Sequence, residues 1–74
     1  MTLILSNAIV NTLHFSCIYT DDDGDLVLEG STETIVITNV PSDVLSKVAV
    51  ATAEGKEFLE LEDAKLMLGD NNEN

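Results

Sequence analysis

The stretch that decides the fold is Thr12-Leu13-His14-Phe15-Ser16-Cys17-Ile18-Tyr19-Thr20, then Asp21-Asp22-Asp23-Gly24-Asp25, then Leu26-Val27-Leu28. In its first part Leu13, Phe15, Cys17 and Tyr19 alternate with Thr12, His14, Ser16 and Thr20. Only Ile18 breaks the alternation. Side chains of period two line opposite faces of a strand, and threonine and aromatic residues suit a pleated, half-buried surface. The pattern therefore predicts a strand over 12–20. Asp23-Gly24 lies between this run and the next apolar one, which is a hairpin signal. A two-residue turn there pairs Tyr19 with Leu28 and Asp21 with Leu26. Leu26 and Leu28 then share a face with Phe15 and Tyr19.

Working outward, a second turn at Gly30-Ser31 sets Leu26 opposite Ile35 and continues the face through Ile37. The buried positions switch from odd to even and back to odd. A three-stranded antiparallel meander requires that switching, and a helix does not. Val27, Val36 and Ile18 point away from this core, toward either a covering helix or an interface. Asn39-Val40-Pro41 stops the third strand. Ser42 is a favourable N-cap, with Asp43 in the first turn, and Val44, Leu45, Val48, Ala49 and Thr52 recur at helical spacing up to Gly55. A helix is expected at about 42–54.

The two ends read less sharply. Glu57 to Leu68 is rich in helix formers, yet its apolar and charged residues scatter around a helical wheel. As strands it sorts, with Leu59 and Leu61 inward, Glu60 and Glu62 outward, and Leu66 and Leu68 inward after a turn near Asp63-Ala64. A final hairpin is the favoured reading. Thr2 to Leu5 suits a short strand, while both strand and helix stay open for Asn7–Asn11. The expected architecture is α+β: a small antiparallel sheet against one helix, a single acidic domain over 1–69 and a flexible polar tail over 70–74. Its expected core is Leu13, Phe15, Cys17, Tyr19, Leu26, Leu28, Ile35, Ile37, Val48 and Leu61.

The totals bound the function. A 74-residue chain buries only about 60% of the surface its unfolded form exposes. Chains this short usually add disulfides, a metal or a partner subunit. One cysteine forms no internal disulfide, and one Cys with one His does not fill a structural zinc site. Self-association as a homodimer is the expected remedy. Fourteen Asp and Glu stand against three Lys, for a net charge of −11, beyond the roughly 2–8 that solubility needs in a small domain. Three scattered lysines cannot supply the cation–phosphate contacts of nucleic-acid binding, and anionic membranes repel such a chain. The complementary partner is a protein with a basic surface. No run of about 18 apolar residues is present, no basic leader precedes the apolar start, and a single free thiol fits the cytoplasm.

The chemistry-bearing motifs are few. Asp21, Asp22, Asp23 and Asp25 invite a calcium reading, but they do not fit the EF-hand spacing: with Gly24 at the loop glycine, Tyr19 falls at the first ligand position. No metal or cofactor is expected. His14 lacks a nucleophile, and Cys17 lacks the positive surroundings that lower a thiol pKa. Three residues apart on a strand, these two face opposite ways. No phosphate-binding glycine loop or nucleophile elbow occurs, so catalysis is not expected.

In size and charge the chain resembles small acidic phage-encoded inhibitors of host enzymes, including nucleic-acid mimics and anti-CRISPR proteins. The likeness rests on no particular residue. It implies a stoichiometric inhibitor that blocks a basic, nucleic-acid-binding surface. The candidate partner-binding residues are Asp21, Asp22, Asp23, Asp25, Glu29, Glu60 and Glu62. Alternate strand residues lie about 6.6 Å apart, against about 3.4 Å between successive phosphates, so carboxylate rows imitate phosphates only loosely. The competing expectation is a structural or accessory subunit of a virion or larger assembly, joined through its sheet.

Overall fold

The computed structural model describes residues 1–67. It is an α+β fold of two sheets and one helix. The strands are β1 (Thr2–Ile4), β2 (Ile9–Asn11), β3 (Cys17–Thr20), β4 (Leu26–Glu29), β5 (Thr34–Thr38), β6 (Phe58–Glu60) and β7 (Lys65–Met67); the helix α1 is Val44–Ala53. The antiparallel meander forms as expected and is completed by β7, in the order β3-β4-β5-β7. The second sheet has the order β2-β1-β6, with β2 antiparallel and β6 parallel to β1. The expected tail over 70–74, and Leu68, lie outside the described residues.

The decisive stretch departs from its sequence reading by one residue. Asp21 N–H donates to the Asp25 carbonyl at 3.0 Å, and Gly24 N–H to the Asp21 carbonyl at 3.0 Å. The loop therefore holds three residues, Asp22 to Gly24, and Tyr19 pairs with Val27 while Ile18 pairs with Leu28. A two-residue type I′ turn needs positive φ at both Asp23 and Gly24. Only Gly24 adopts it, at +84°, and Asn39 is the sole non-glycine with positive φ among the described residues. The Asp21 carboxylate holds the wider loop by accepting the backbone N–H groups of Asp23 and Asp25, at 2.9 and 3.0 Å.

A slip of one residue turns every side chain of a strand to the other face. Ile18 thus faces the core, while Cys17 and Tyr19 are exposed. The strand also starts late. Thr12–His14 forms a 3₁₀ turn, capped by Asn11, whose side-chain oxygen accepts the Leu13 N–H at 3.0 Å. Leu13 is consequently 81% exposed. Phe15 precedes β3 and packs half-buried on the core, so Phe15 and Tyr19 do not share a strand face. The second turn centres on Ser31-Thr32, one residue later than expected, with Glu29 opposite Thr34 and Leu26 opposite Ile37. That two-residue change in pairing keeps the faces, and Leu26, Leu28 and Ile37 are fully buried.

The helix is slightly shorter than expected. Its N-cap is Asp43, not Ser42, and it makes no side-chain capping bond. At the other end Gly55 takes φ +71°. Lys56 N–H donates to Ala51 and Gly55 N–H to Thr52, at 3.0 and 3.1 Å, the pair of bonds that a C-terminal glycine permits. Val44, Val48 and Ala51 form the buried face.

The final segment makes two strands but not a hairpin. β6 pairs with β1, and β7 pairs with β5 in the other sheet. The chain turns a corner at residues 61–64, where Leu61 and Ala64 are buried. Residues 4–7 run beside this corner. Leu61 N–H donates to Ile4, and Ser6 N–H to Ala64, each at 2.8 Å. The Asn7 side chain then accepts the Leu66 N–H at 2.8 Å and donates to the Leu66 carbonyl at 3.2 Å, occupying the free edge of β7. An amide side chain here replaces a neighbouring strand, which blunts an edge otherwise open to aggregation. The two sheets and the helix share one core, with Leu3 and Val10 from the N-terminal strands and Leu5 just after β1 clustering with Leu26, Leu28, Ile37, Val44 and Val48.

Candidate partner-binding face

The helix and the three-stranded sheet contribute to the core on the inner side of β3-β4-β5-β7. The outer side of that sheet carries the alternate residues. Their register aligns Tyr19, Val27, Val36 and Met67 in one row across all four strands. Tyr19 and Met67, at its ends, are 36% and 52% exposed, whereas Val27 between them is only 5% exposed. Val27 and Val36 do point away from the core, as their alternation predicts, whereas Ile18 does not.

Polar residues flank this row. On one side Cys17, Glu29 and Thr34 are opposite one another. Tyr19 Oη donates to Glu29 Oε2 at 2.8 Å. That hydrogen bond raises the Tyr19 phenol above its ordinary pKa, with partial desolvation and the Glu29 charge acting in the same sense. Loss of the phenol proton would remove the bond and set two anions together. On the other side lies the acidic tip, beyond the Thr20–Leu26 pair that ends β3 and β4. Asp21 and Asp25 are half-buried there, and Asp22 and Asp23 are exposed.

The structure therefore brings five of the seven candidate residues, Asp21, Asp22, Asp23, Asp25 and Glu29, to one sheet. Glu60 and Glu62 lie elsewhere. Glu60 is on β6, and Glu62 is in the corner that follows it. With Lys47 and Asp63 they border an open cleft of about 460 Å³. Lys47 is 3.9 Å from Asp43, and Lys56 is 3.8 Å from Glu54. Such exposed pairs contribute about 0–1 kcal/mol, but they neutralise two of the three lysines locally.

Asp21, Asp23 and Asp25 each place a carboxylate oxygen within 4.8 Å of the others. A hard cation accepts such oxygens, although one Asp21 oxygen already accepts two backbone N–H groups. His14 is exposed in its 3₁₀ turn. Among the described residues no polar or charged side chain is fully buried, and no helix is long and apolar enough to cross a membrane. The sequence places Val27 and Val36 on this face, but its register put Tyr19 in the core, so the end of the row on β3 was missed. The parity of Val27 and Val36 was the available signal.

No known protein family, no curated protein and no solved structure matches this chain.

Proposed function

We propose that this chain is a small acidic interaction protein that works by binding, not catalysis. It covers a basic surface of another protein, of the kind that ordinarily holds nucleic-acid phosphates. The observation that carries this reading is the outer face of β3-β4-β5-β7. An apolar row, Tyr19–Val27–Val36–Met67, runs between Glu29 on one side and the Asp21–Asp25 tip on the other. Stable interfaces combine a desolvated apolar centre, often with tyrosine and methionine, and a polar rim. Here the rim is anionic along β3 and β4, with Lys65 opposite Thr38 at the β7 end, so the β3-β4 side attracts lysine and arginine and steers their approach. Glu60 is on β6 and Glu62 in the corner after it, away from the β3–β4 tip, so the proposed partner is served by the tip and its sheet.

A second reading rests on the same row. Its apolar area suits a structural subunit that joins an assembly through the sheet, with the acidity serving solubility. Salt separates the two. The test is capture of partners from a lysate by the tagged chain, then titration of the recovered protein at about 0.1 M and 1 M salt, where the Debye length falls from about 10 to 3 Å. The proposed function expects affinity to fall steeply with salt, and a bound nucleic acid to compete. Affinity that is flat with salt and insensitive to nucleic acid favours the structural subunit.

A further inference from the structure

We propose that the outer face of β2-β1-β6 is a self-association face that closes on a second copy of this chain. Leu3, Val10 and Leu59 turn inward from these strands, leaving Thr2, Ile4, Ile9, Asn11, Phe58 and Glu60 outward. Ile9 lies directly opposite Ile4, and Phe58 sits beside Thr2, diagonal to Ile4. Diagonal neighbours on a sheet remain within reach of an aromatic ring. The three side chains therefore form one apolar patch, with Ile9 73% and Phe58 58% exposed.

Charge identifies the occupant. Residues 1–20 contain no Asp, Glu, Lys or Arg, in a chain of net charge −11. Two of the three strands come from that uncharged segment, and Glu60 is the only ionisable side chain facing outward from the three. A basic partner gains no electrostatic attraction here. A second copy, repelled by the carboxylates that rim the other sheet, meets here only Glu60 from the strands, with Lys56 and Glu57 offsetting each other beside Phe58. An isologous contact sets the Ile4, Ile9 and Phe58 patch of one copy against that of the other. Outer strands about 10 Å apart make a face far smaller than the roughly 800 Å² per partner of a standard interface. The dimer is therefore weak and concentration-dependent.

The inference stands apart from the basic partner, and the two respond oppositely to salt. Screening weakens attraction to a basic surface, yet relieves repulsion between two anionic copies. The test is sedimentation equilibrium of the full chain at low and high salt, with reductant present to prevent a Cys17–Cys17 link. The expected result is a mass that rises with concentration from 8.0 kDa toward twice that value, with tighter association at high salt. Ile9→Thr with Phe58→Thr should weaken association by about tenfold or more and leave the circular dichroism spectrum unchanged. Should the double variant melt low, Ile9→Thr alone carries the test, because its side chain is largely exposed. Met67→Thr, on the other sheet, should leave association unchanged. A monomer at every concentration up to about 1 mM overturns the inference. So does a dimer that weakens as salt rises, or one broken by Met67→Thr but not by the Ile9 and Phe58 changes.

Discussion

Gly30→Ala tests the packing of residues 14–16 against the β3-β4-β5-β7 sheet. A Cβ on Gly30 would lie 2.8 Å from the His14 carbonyl oxygen, and 3.4 Å from both the Glu33 carbonyl oxygen and Phe15 Cδ1. The closest atom is backbone, so no rotamer change relieves the contact. Relief requires moving residues 14–16 away from β4, against the 2.8 Å bond from Ser16 N–H to the Glu29 carbonyl. Overpacking of this kind costs about 1–3 kcal/mol, and a weakened hydrogen bond adds about 1 kcal/mol. Reduced unfolded-state entropy offsets about 0.4–1 kcal/mol. The net loss is about 1–3 kcal/mol, and at about 4–8 °C per kcal/mol in a domain this size Tm should fall by roughly 5–20 °C. Gly24 supplies the contrast. It needs its φ of +84°, but nothing lies within 4 Å of its Cβ position, and asparagine tolerates that conformation. Gly24→Asn should therefore melt close to the parent protein, whereas Gly30→Asn should be at least as damaging as Gly30→Ala. Thermal melts followed by circular dichroism read all three. A Gly30→Ala protein melting within about 2 °C of the parent, less than about 0.5 kcal/mol, would refute the close approach of residues 14–16 to β4.

Other expectations follow from the same geometry. Leu28→Ala empties a fully buried site and should cost about 2–5 kcal/mol, out of a total of roughly 4–11 kcal/mol for a chain of this length; urea titration measures it, and a loss below about 1 kcal/mol would contradict the assigned core. Tyr19 is the only tyrosine and tryptophan is absent, so phenolate absorbance reports it alone. Because Glu29 raises its folded pKa, the associated stability is present below the unfolded value of about 10 and is lost as pH rises through the folded one. Glu29→Ala should bring the titration back toward that of free tyrosine, and an unchanged curve would remove the Tyr19–Glu29 bond from the account. Neutralising Asp21, Asp22 and Asp25 together to Asn should weaken a basic partner by about an order of magnitude or more, mainly through association rate. Folding should persist, since the amide that replaces the Asp21 carboxylate keeps an oxygen to accept the loop N–H groups; affinity and a thermal melt, measured side by side, check both halves.

Much of the fold was legible in the alternation and in the turn and cap residues. Leu26, Leu28 and Ile37 read as inward because a meander demands parity switching, and Pro41 and Gly55 bracket the helix. The error at β3 has one origin. Asp-Gly signals a two-residue turn, while the Asp21 side chain favours a wider loop, and one extra residue exchanges the two faces. Cys17 and Tyr19 therefore sit at the surface and Ile18 in the core. The N-terminal strands were weakly legible because each has only three residues, too few for a period to show, and because β1 takes its parallel partner β6 from more than fifty residues away. The separate destinations of β6 and β7 depend on long-range pairing that local pattern does not encode. Of the candidate site, the acidic tip was visible as composition. In the apolar row beside it, Val27 and Val36 read as outward by parity, and Tyr19 was hidden by the register.

The most direct test of the central proposal is an amide-resolved NMR titration of the labelled chain with the basic partner recovered from the lysate. Shifts and broadening should concentrate at Tyr19, Asp21 to Val27, Glu29, Val36 and Met67, and fade as salt is raised. Perturbations concentrated instead on β1, β2 and β6, or on α1, with the tip and the Tyr19–Met67 row unaffected, would contradict it.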